Sequence, residues 1–244
     1  MRKTILLLPL VLFLAGCPVT QPQDTPVDAQ KLTVRTSDDD YWVYVSSNYT
    51  ASRSWPVVIT LHGTPGFDGA KAQIRAWKAL AEKHGFIVAA PELSSVQGIL
   101  PVLQNSRQNA LRKDDTTILA VLDDLGRKYN INRDNVLLTG FSAGGYPLYY
   151  TGLSHPERFS ALVARACNFD KDTIDHIPIT DETRSKPILI FWGKDDFREI
   201  RRDGWAAFRY LRLRYCRGTE KKEIDGGHTR RPGVAARWWL DQTR

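Results

Sequence analysis

The sequence predicts a three-layer α/β fold: a mostly parallel sheet with an antiparallel N-terminal start and no cap domain. Three observations predict it. Short, continuous apolar runs typical of strands buried on both faces alternate with segments of helical periodicity. Two strand-like runs around the acidic turn 38–40 precede this alternation. Only about twenty residues separate the apolar runs 159–166 and 187–192, too few for an inserted domain.

The predicted elements follow that order along the chain. The antiparallel pair is expected at 32–35 and 41–46, and further strands at 56–61, 86–90, 136–139, 159–166, 187–192 and 220–224. Helices are expected at 70–84, 115–129, 146–153 and 202–214, with a last one through Trp238 and Trp239.

One long stretch, 92–113, has no strand or helix periodicity, and we expect an irregular loop there. Asp114 or Asp115 would then cap the helix that follows. The loop leaves the carboxyl end of a parallel strand, where ligands of open α/β sheets bind. We therefore expect it to form a wall of the substrate site.

The N-terminus has the pattern of an export signal. Arg2 and Lys3 precede a short apolar run at 5–14, which ends in LAGC at 14–17. That ending resembles the cleavage box of bacterial lipoproteins, which implies a signal at 1–16 and diacylglycerol on Cys17. An ordinary secretory signal is the alternative. Polar residues follow, so we expect a flexible tether at 17–31 and one folded domain at 32–244.

These features predict an exported protein held to a membrane through lipid on Cys17. Acyl chains on one residue would anchor it firmly. No aspartate follows Cys17 directly, and the sorting rule for such lipoproteins then favours the outer membrane if the source is Gram-negative.

The chain carries a formal charge of +7 at neutral pH, and much of the excess lies in the arginines between 198 and 217. A nucleic-acid patch is one interpretation. The arginines have helical spacing and are interleaved with apolar residues, which favours a solvated helix face with some attraction to anionic lipid. We predict no nucleic-acid partner.

Two further cysteines, Cys167 and Cys216, lie in the predicted domain. Outside the cytoplasm such a pair can oxidise, but their proximity cannot be judged from sequence, so a bridge and two free thiols both remain open. No cysteine or histidine spacing typical of a metal site occurs, and neither a metal nor a cofactor is predicted.

The residues GFSAGG at 140–145 carry the main functional signal. They follow an apolar, β-branched run and precede a helical stretch, the context in which G-x-S-x-G presents a serine nucleophile at a sharp turn. Glycines allow the close packing of such a turn. We predict that Ser142 is the nucleophile.

Four stretches together resemble the α/β-hydrolase superfamily, and within it the compact secreted esterases related to polyhydroxybutyrate depolymerases and feruloyl esterases. They are LHGTPG at 61–66, NVLLTGFSAGG at 135–145, GKDD at 193–196 and DGGH at 225–228. The likeness covers most of the chain after Tyr41. It implies a triad in the order Ser, Asp, His, and it is much less specific for the substrate.

His228 is the predicted general base. It follows the last predicted strand, and Gly226 and Gly227 allow a loop to present it. The other histidines have structural explanations; His62, for example, belongs to the turn after a central strand. The acid is less constrained. The spacing of the family selects Asp196, while the adjacent Asp195 and the earlier Asp170 stay open.

The oxyanion hole should use the backbone N–H groups of Ala143 and Thr64. The resemblance implies hydrolysis of a small-molecule or polymeric carboxylic ester through an acyl-enzyme, without a cofactor. Peptide or amide cleavage and acyl transfer use the same triad and remain alternatives. A non-catalytic envelope protein that uses the fold for binding is the alternative from another class.

Overall fold

The computed structural model describes residues 29–97, 104–225 and 232–243. One sheet of eight strands runs through them in the spatial order β1-β2-β4-β3-β5-β6-β7-β8. The strands are β1 (Gln30–Thr33), β2 (Asp40–Tyr44), β3 (Trp55–Leu61), β4 (Ile87–Pro91), β5 (Ile131–Phe141), β6 (Ala161–Arg165), β7 (Ile188–Gly193) and β8 (Glu220–Ile224).

The sheet is parallel except at its beginning. β1 pairs with β2 and β2 pairs with β4 in antiparallel register, whereas every pair from β4 to β8 is parallel. The helices are α1 (Ala70–His84), α2 (Gln104–Lys128), α3 (Gly145–Ser154), α4 (Asp181–Ser185), α5 (Arg198–Arg214) and α6 (Gly233–Gln242). Only the short α4 and a 3-10 turn lie between β6 and β7, and the predicted fold class is confirmed.

Two apolar clusters lie on opposite faces of the sheet. Side chains alternate along β3, so that Val57 and Ile59 join one cluster and Val58 joins the other. The first cluster is covered by α2, α3 and α5, and the second by α1 and α6. Helix α1 buries one apolar face that includes Ile74 and Trp77, as its periodicity predicted, whereas α3 is buried on nearly all sides. The three layers follow from this arrangement.

The prediction of a loop over 92–113 was wrong for its second half. Helix α2 begins at Gln104, so Asp114 and Asp115 lie inside the helix and cap nothing. The polar first turns are held by Leu111, which is fully buried, and by Arg107, which forms an ion pair with Asp170 at 3.3 Å. Tertiary contacts outweigh the weak local pattern here. Helix α5 likewise begins at Arg198, earlier than predicted.

Both cysteines of the domain are buried free thiols. The Cys216 Sγ–H donates to the carbonyl of Thr183 at 2.6 Å, and the Cys167 Sγ–H lies 3.7 Å from the carbonyl of Arg165. Burial raises the pKa of each thiol to about 12. Of the two states left open by the sequence, the structure has the unbridged one.

Within the described ranges, no helix has the length and apolar character needed to cross a membrane. Residues 1–28, including Cys17, lie outside those ranges, so lipid attachment and the signal remain predictions.

Candidate active site

Ser142 lies where β5 ends and a short 3-10 turn leads into α3. Its backbone φ is +53°, in the left-handed region that non-glycine residues avoid at a cost of about 1–2 kcal/mol. The Asn168 N–H donates to the Ser142 carbonyl at 2.9 Å and helps to hold this conformation. The backbone therefore has the sharp strand-to-helix turn that presents a serine above a sheet.

The turn fits only because the residues around Ser142 lack side chains. A Cβ on Gly140 would lie 2.5 Å from the carbonyl oxygen of Gly144. A Cβ on Gly144 would lie 2.7 Å from the carbonyl oxygen of Leu61, at the end of β3. Both distances are shorter than real contacts allow, so the ends of β3 and β5 and the start of α3 meet at van der Waals distance.

The segment after β3 passes directly beside Ser142. A Cβ on Gly63 would lie 3.2 Å from the Cβ of Ser142. Gly63 donates its N–H to the Asp68 carboxylate at 2.8 Å, and the Thr64 carbonyl accepts from the N–H groups of Phe67 and Asp68. In the described part of the chain the Thr64 N–H has no acceptor. We name residues 63–67 the oxyanion loop, because Thr64 is the predicted donor.

His62 supports this loop from beneath. The ring is buried; its Nδ1 contacts the carbonyl oxygen of Gly63 at 2.8 Å, and its Nε2 accepts from the Leu93 N–H at 3.1 Å. Since Nε2 must accept, the ring proton lies on Nδ1 and donates to Gly63. His62 thus ties the end of β3 to the segment after β4.

The three candidate acids differ in their surroundings. Asp196 follows β7, is half-buried, and accepts the Gly193 N–H through its Oδ2 at 2.7 Å. Asp195 is exposed. Asp170 pairs with Arg107 at 3.3 Å and accepts the Asp172 N–H at 3.1 Å. Asp196 has a fixed carboxylate at the carboxyl end of a parallel strand, as the family pattern implies.

The predicted base lies outside the described residues, since these omit 226–231. The contacts of His228 with Ser142 and Asp196 therefore stay a prediction. Another histidine near α3, His155, has a different role: its Nε2 lies 3.0 Å from the Asp115 carboxylate within α2.

Sequence reasoning missed three polar residues beneath the oxyanion loop. Arg165 is fully buried at the end of β6. Hydrogen bonds through the side chains of Gln73 and Asp68 connect it to the Gly63 N–H. One signal was present. Arg165 is a charged residue inside an apolar run predicted to be buried on both faces, and such residues need a dedicated set of partners.

A family model shows the family of the chain. The model of the Esterase family matches residues 35–215, most of the sequence. The chain belongs to the Esterase family. The match contains Ser142 and Asp196 and ends before 226–231.

Two curated relatives share this region with the esterase chain. Dipeptidyl-peptidase 5 of Porphyromonas gingivalis is 22% identical over 201 residues, which are 77% of this chain and 28% of that protein. The bifunctional acetylxylan esterase/xylanase XynS20E of Neocallimastix patriciarum is 27% identical over 111 residues, 46% of this chain and 15% of that protein. The chain thus matches less than a third of the length of either relative.

Two solved structures share the fold. The fluorophosphonate-binding serine hydrolase FphF of Staphylococcus aureus superposes with a TM-score of 0.63 at 15% identity, covering 88% of this chain and 97% of that one. A CE1 ferulic acid esterase of Anaeromyces mucronatus, in complex with ferulic acid, gives 0.62 at 16% identity, covering 87% and 88%. The chain therefore has the α/β-hydrolase fold of these two structures.

Proposed function

We propose that this hydrolase cleaves carboxylic esters through an acyl-enzyme. Ser142 attacks the ester carbonyl while His228 takes its proton, and Asp196 holds the imidazole in the required tautomer. The N–H groups of Thr64 and Ala143 stabilise the oxyanion. The tetrahedral intermediate then breaks its bond to the alcohol oxygen, His228 gives its proton to that oxygen, and the alcohol leaves. Water, deprotonated by His228, hydrolyses the acylated serine, releases the acid and returns the proton to Ser142. No cofactor enters the cycle.

One observation carries the proposal. Ser142 keeps a strained left-handed backbone at the apex of a strand-to-helix turn, packed against Gly63. Backbone strain of this kind persists where the surrounding structure enforces it, and it concentrates at functional sites. An ordinary glycine-rich turn needs no strained serine.

Two classes of substrate are consistent with the relatives. Membership in the Esterase family favours an ester, and one structural neighbour is a ferulic acid esterase. The likeness to a dipeptidyl-peptidase makes peptide cleavage the second candidate. The same triad serves both reactions, so the leaving group has to be tested directly.

The first experiment compares the soluble chain that starts after Cys17 with its Ser142→Ala variant on p-nitrophenyl esters of increasing acyl length. We expect turnover that the variant reduces by at least about 10³-fold, since removal of a triad nucleophile leaves only residual catalysis. Dipeptidyl p-nitroanilides, assayed in parallel, distinguish ester from peptide cleavage. A fluorophosphonate probe should label Ser142 alone. A folded protein that neither hydrolyses nor labels would favour the non-catalytic alternative.

We also propose that the protein is exported and held to a membrane by diacylglycerol on Cys17, because residues 1–17 match a lipoprotein signal. Intact-mass measurement of the full-length product should show the lipid. Replacement Cys17→Ser should release the protein from the membrane fraction while esterase activity persists.

A further inference from the structure

A buried cation lies beneath the oxyanion loop. Arg165 is 0% exposed and ends β6, beside Phe141 of β5. Its Nε donates to Thr139 Oγ1 at 3.1 Å, and its Nη2 donates to Thr60 Oγ1 at 3.1 Å and to Gln73 Oε1 at 2.6 Å. Burial lowers the pKa of Arg165 to about 10, so the group is charged at neutral pH. Burial of a charge is expensive unless it has an organised set of partners.

One series of hydrogen bonds leads from Arg165 to the oxyanion loop. The Gln73 side chain accepts from Arg165 through Oε1 and donates from Nε2 to Asp68 Oδ2 at 2.6 Å. The same Asp68 oxygen accepts the Gly63 N–H at 2.8 Å. Because arginine can only donate, Gln73 must turn its oxygen to Arg165 and its NH₂ to Asp68. The guanidinium thus fixes the orientation of the whole chain of hydrogen bonds.

This series of hydrogen bonds ends at Gly63, the residue that precedes the proposed oxyanion donor Thr64. Gly63 lies against Ser142, and the peptide between Gly63 and Thr64 carries the Thr64 N–H. An oxyanion donor acts only when it lies within hydrogen-bond distance of the developing charge. Misplacement by about 1 Å can reduce the rate on the order of 10²-fold. The hydrogen bond that holds the Gly63 N–H therefore controls the position and direction of the Thr64 N–H.

We propose that Arg165, Gln73 and Asp68 form a positioning relay that holds the oxyanion loop against Ser142. The inference rests on the proposed ester hydrolysis for its effect on rate. Each of the three residues acts through Gly63. Arg165 and Gln73 are buried, and Asp68 is the half-buried link to the loop.

A conservative variant separates positioning from general stabilisation of the core. Gln73→Glu keeps an oxygen for Arg165 but removes the donor to Asp68 and opposes two carboxylates. Asp68→Ala removes the oxygen that accepts from both Gly63 and Gln73. Asp68→Asn keeps one side-chain oxygen that can accept from both, so every hydrogen bond from Arg165 to Gly63 can still form. Gln242→Glu, at the exposed end of α6, is the matched control.

We expect kcat for p-nitrophenyl ester hydrolysis to fall about 10-fold in Gln73→Glu and in Asp68→Ala, with KM within about twofold, and to stay within about threefold of wild type in Asp68→Asn. Gln242→Glu should match wild type. A core-stabilising role alone predicts that activity follows the unfolding temperature across the set. Unchanged kcat in Gln73→Glu and Asp68→Ala, or an Asp68→Asn variant as impaired as Asp68→Ala, would overturn the relay.

Amide hydrogen exchange of the peptide covering 61–66 keeps the relay testable apart from catalysis. We expect faster exchange in Gln73→Glu and Asp68→Ala than in wild type, and near-wild-type protection in Asp68→Asn. Equal protection in all variants overturns the relay, whether or not the enzyme is active. A wild-type protein without hydrolysis or probe labelling overturns the proposed function, while the exchange result still decides whether the relay holds the loop.

Discussion

Two glycines set the distances between the backbone segments around Ser142. Gly140 and Gly144 are where backbone from β3, β5 and α3 meets at distances that leave no room for a Cβ. The constraint is steric, because one added carbon atom would overlap with the neighbouring backbone. Replacement of glycine by alanine, which adds a single methyl group, therefore tests it directly.

Gly144→Ala should displace the end of β3 relative to Ser142, because the new Cβ would lie 2.7 Å from the Leu61 carbonyl oxygen. We expect kcat/KM on a p-nitrophenyl ester to fall on the order of 10²-fold and stability to fall by about 1–3 kcal/mol. Steady-state kinetics and urea unfolding measure the two effects. Gly218→Ala, where a Cβ meets nothing within 4 Å, is the control and should change neither.

At the scale of elements, α2 is attached to the segment after β4 through one buried carboxylate. Asp114 is 1% exposed in the middle of the helix. It accepts the N–H groups of Ser94 and Ser95, each at 2.8 Å, and the Ser94 hydroxyl at 2.8 Å. The segment that follows β4 is thereby attached to the helix, in addition to its contact with His62 at the end of β3.

Asp114→Ala leaves these donors without their acceptor, and we expect a loss of about 2–3 kcal/mol in the free energy of unfolding. Urea denaturation monitored by tryptophan fluorescence gives the value. The neighbouring exposed residue provides the control, since Lys113→Ala should stay within about 0.5 kcal/mol of wild type. An Asp114 variant as stable as the control would show that water satisfies the donors.

The same helix shows where sequence reasoning stops. Its second half has a clear apolar period and was predicted, whereas the first turns are polar and depend on Leu111 and the Arg107–Asp170 ion pair. Those contacts join parts of the chain that local periodicity cannot connect. The strands, by contrast, were predicted because each is a continuous apolar run whose burial is encoded within its own few residues.

The candidate site divides along the same line. Ser142, Thr64 and Asp196 lie in short motifs that mark positions at strand ends. The relay joins Arg165 to Gln73, which lie 92 positions apart, and no local pattern in either segment indicates the other. Only the odd charge within the apolar run of β6 indicated that partners had to exist.

At the scale of the whole molecule, one polar network holds the antiparallel start to the rest. Asp124 of α2 accepts the Tyr41 hydroxyl of β2 at 2.7 Å, and it also accepts from Arg127 and Lys128. Burial opposes ionisation of Asp124, but these hydrogen bonds outweigh it and hold the pKa of the carboxyl below its usual value. The folded state therefore stabilises the ionised form of Asp124 relative to the protonated form.

A lowered pKa in the folded state means that unfolding takes up protons in acid. Stability from Asp124 is full above the unfolded pKa of about 4 and is lost as the pH falls below it. We expect the urea midpoint of wild type to decline more steeply between about pH 5 and pH 2 than that of Asp124→Asn. Asp134→Asn, at an exposed position, should decline as wild type does. Parallel curves for Asp124→Asn and wild type would contradict the assignment.

The backbone angle of +53° at Ser142 has a consequence for directed evolution. Glycine adopts that angle without strain, so a library selected for folding alone should enrich glycine at position 142 and discard the serine. Selection for turnover would restore it. The position thus records which of the two demands has shaped a sequence, and a heat-resistant variant that arises without functional screening should first be checked there.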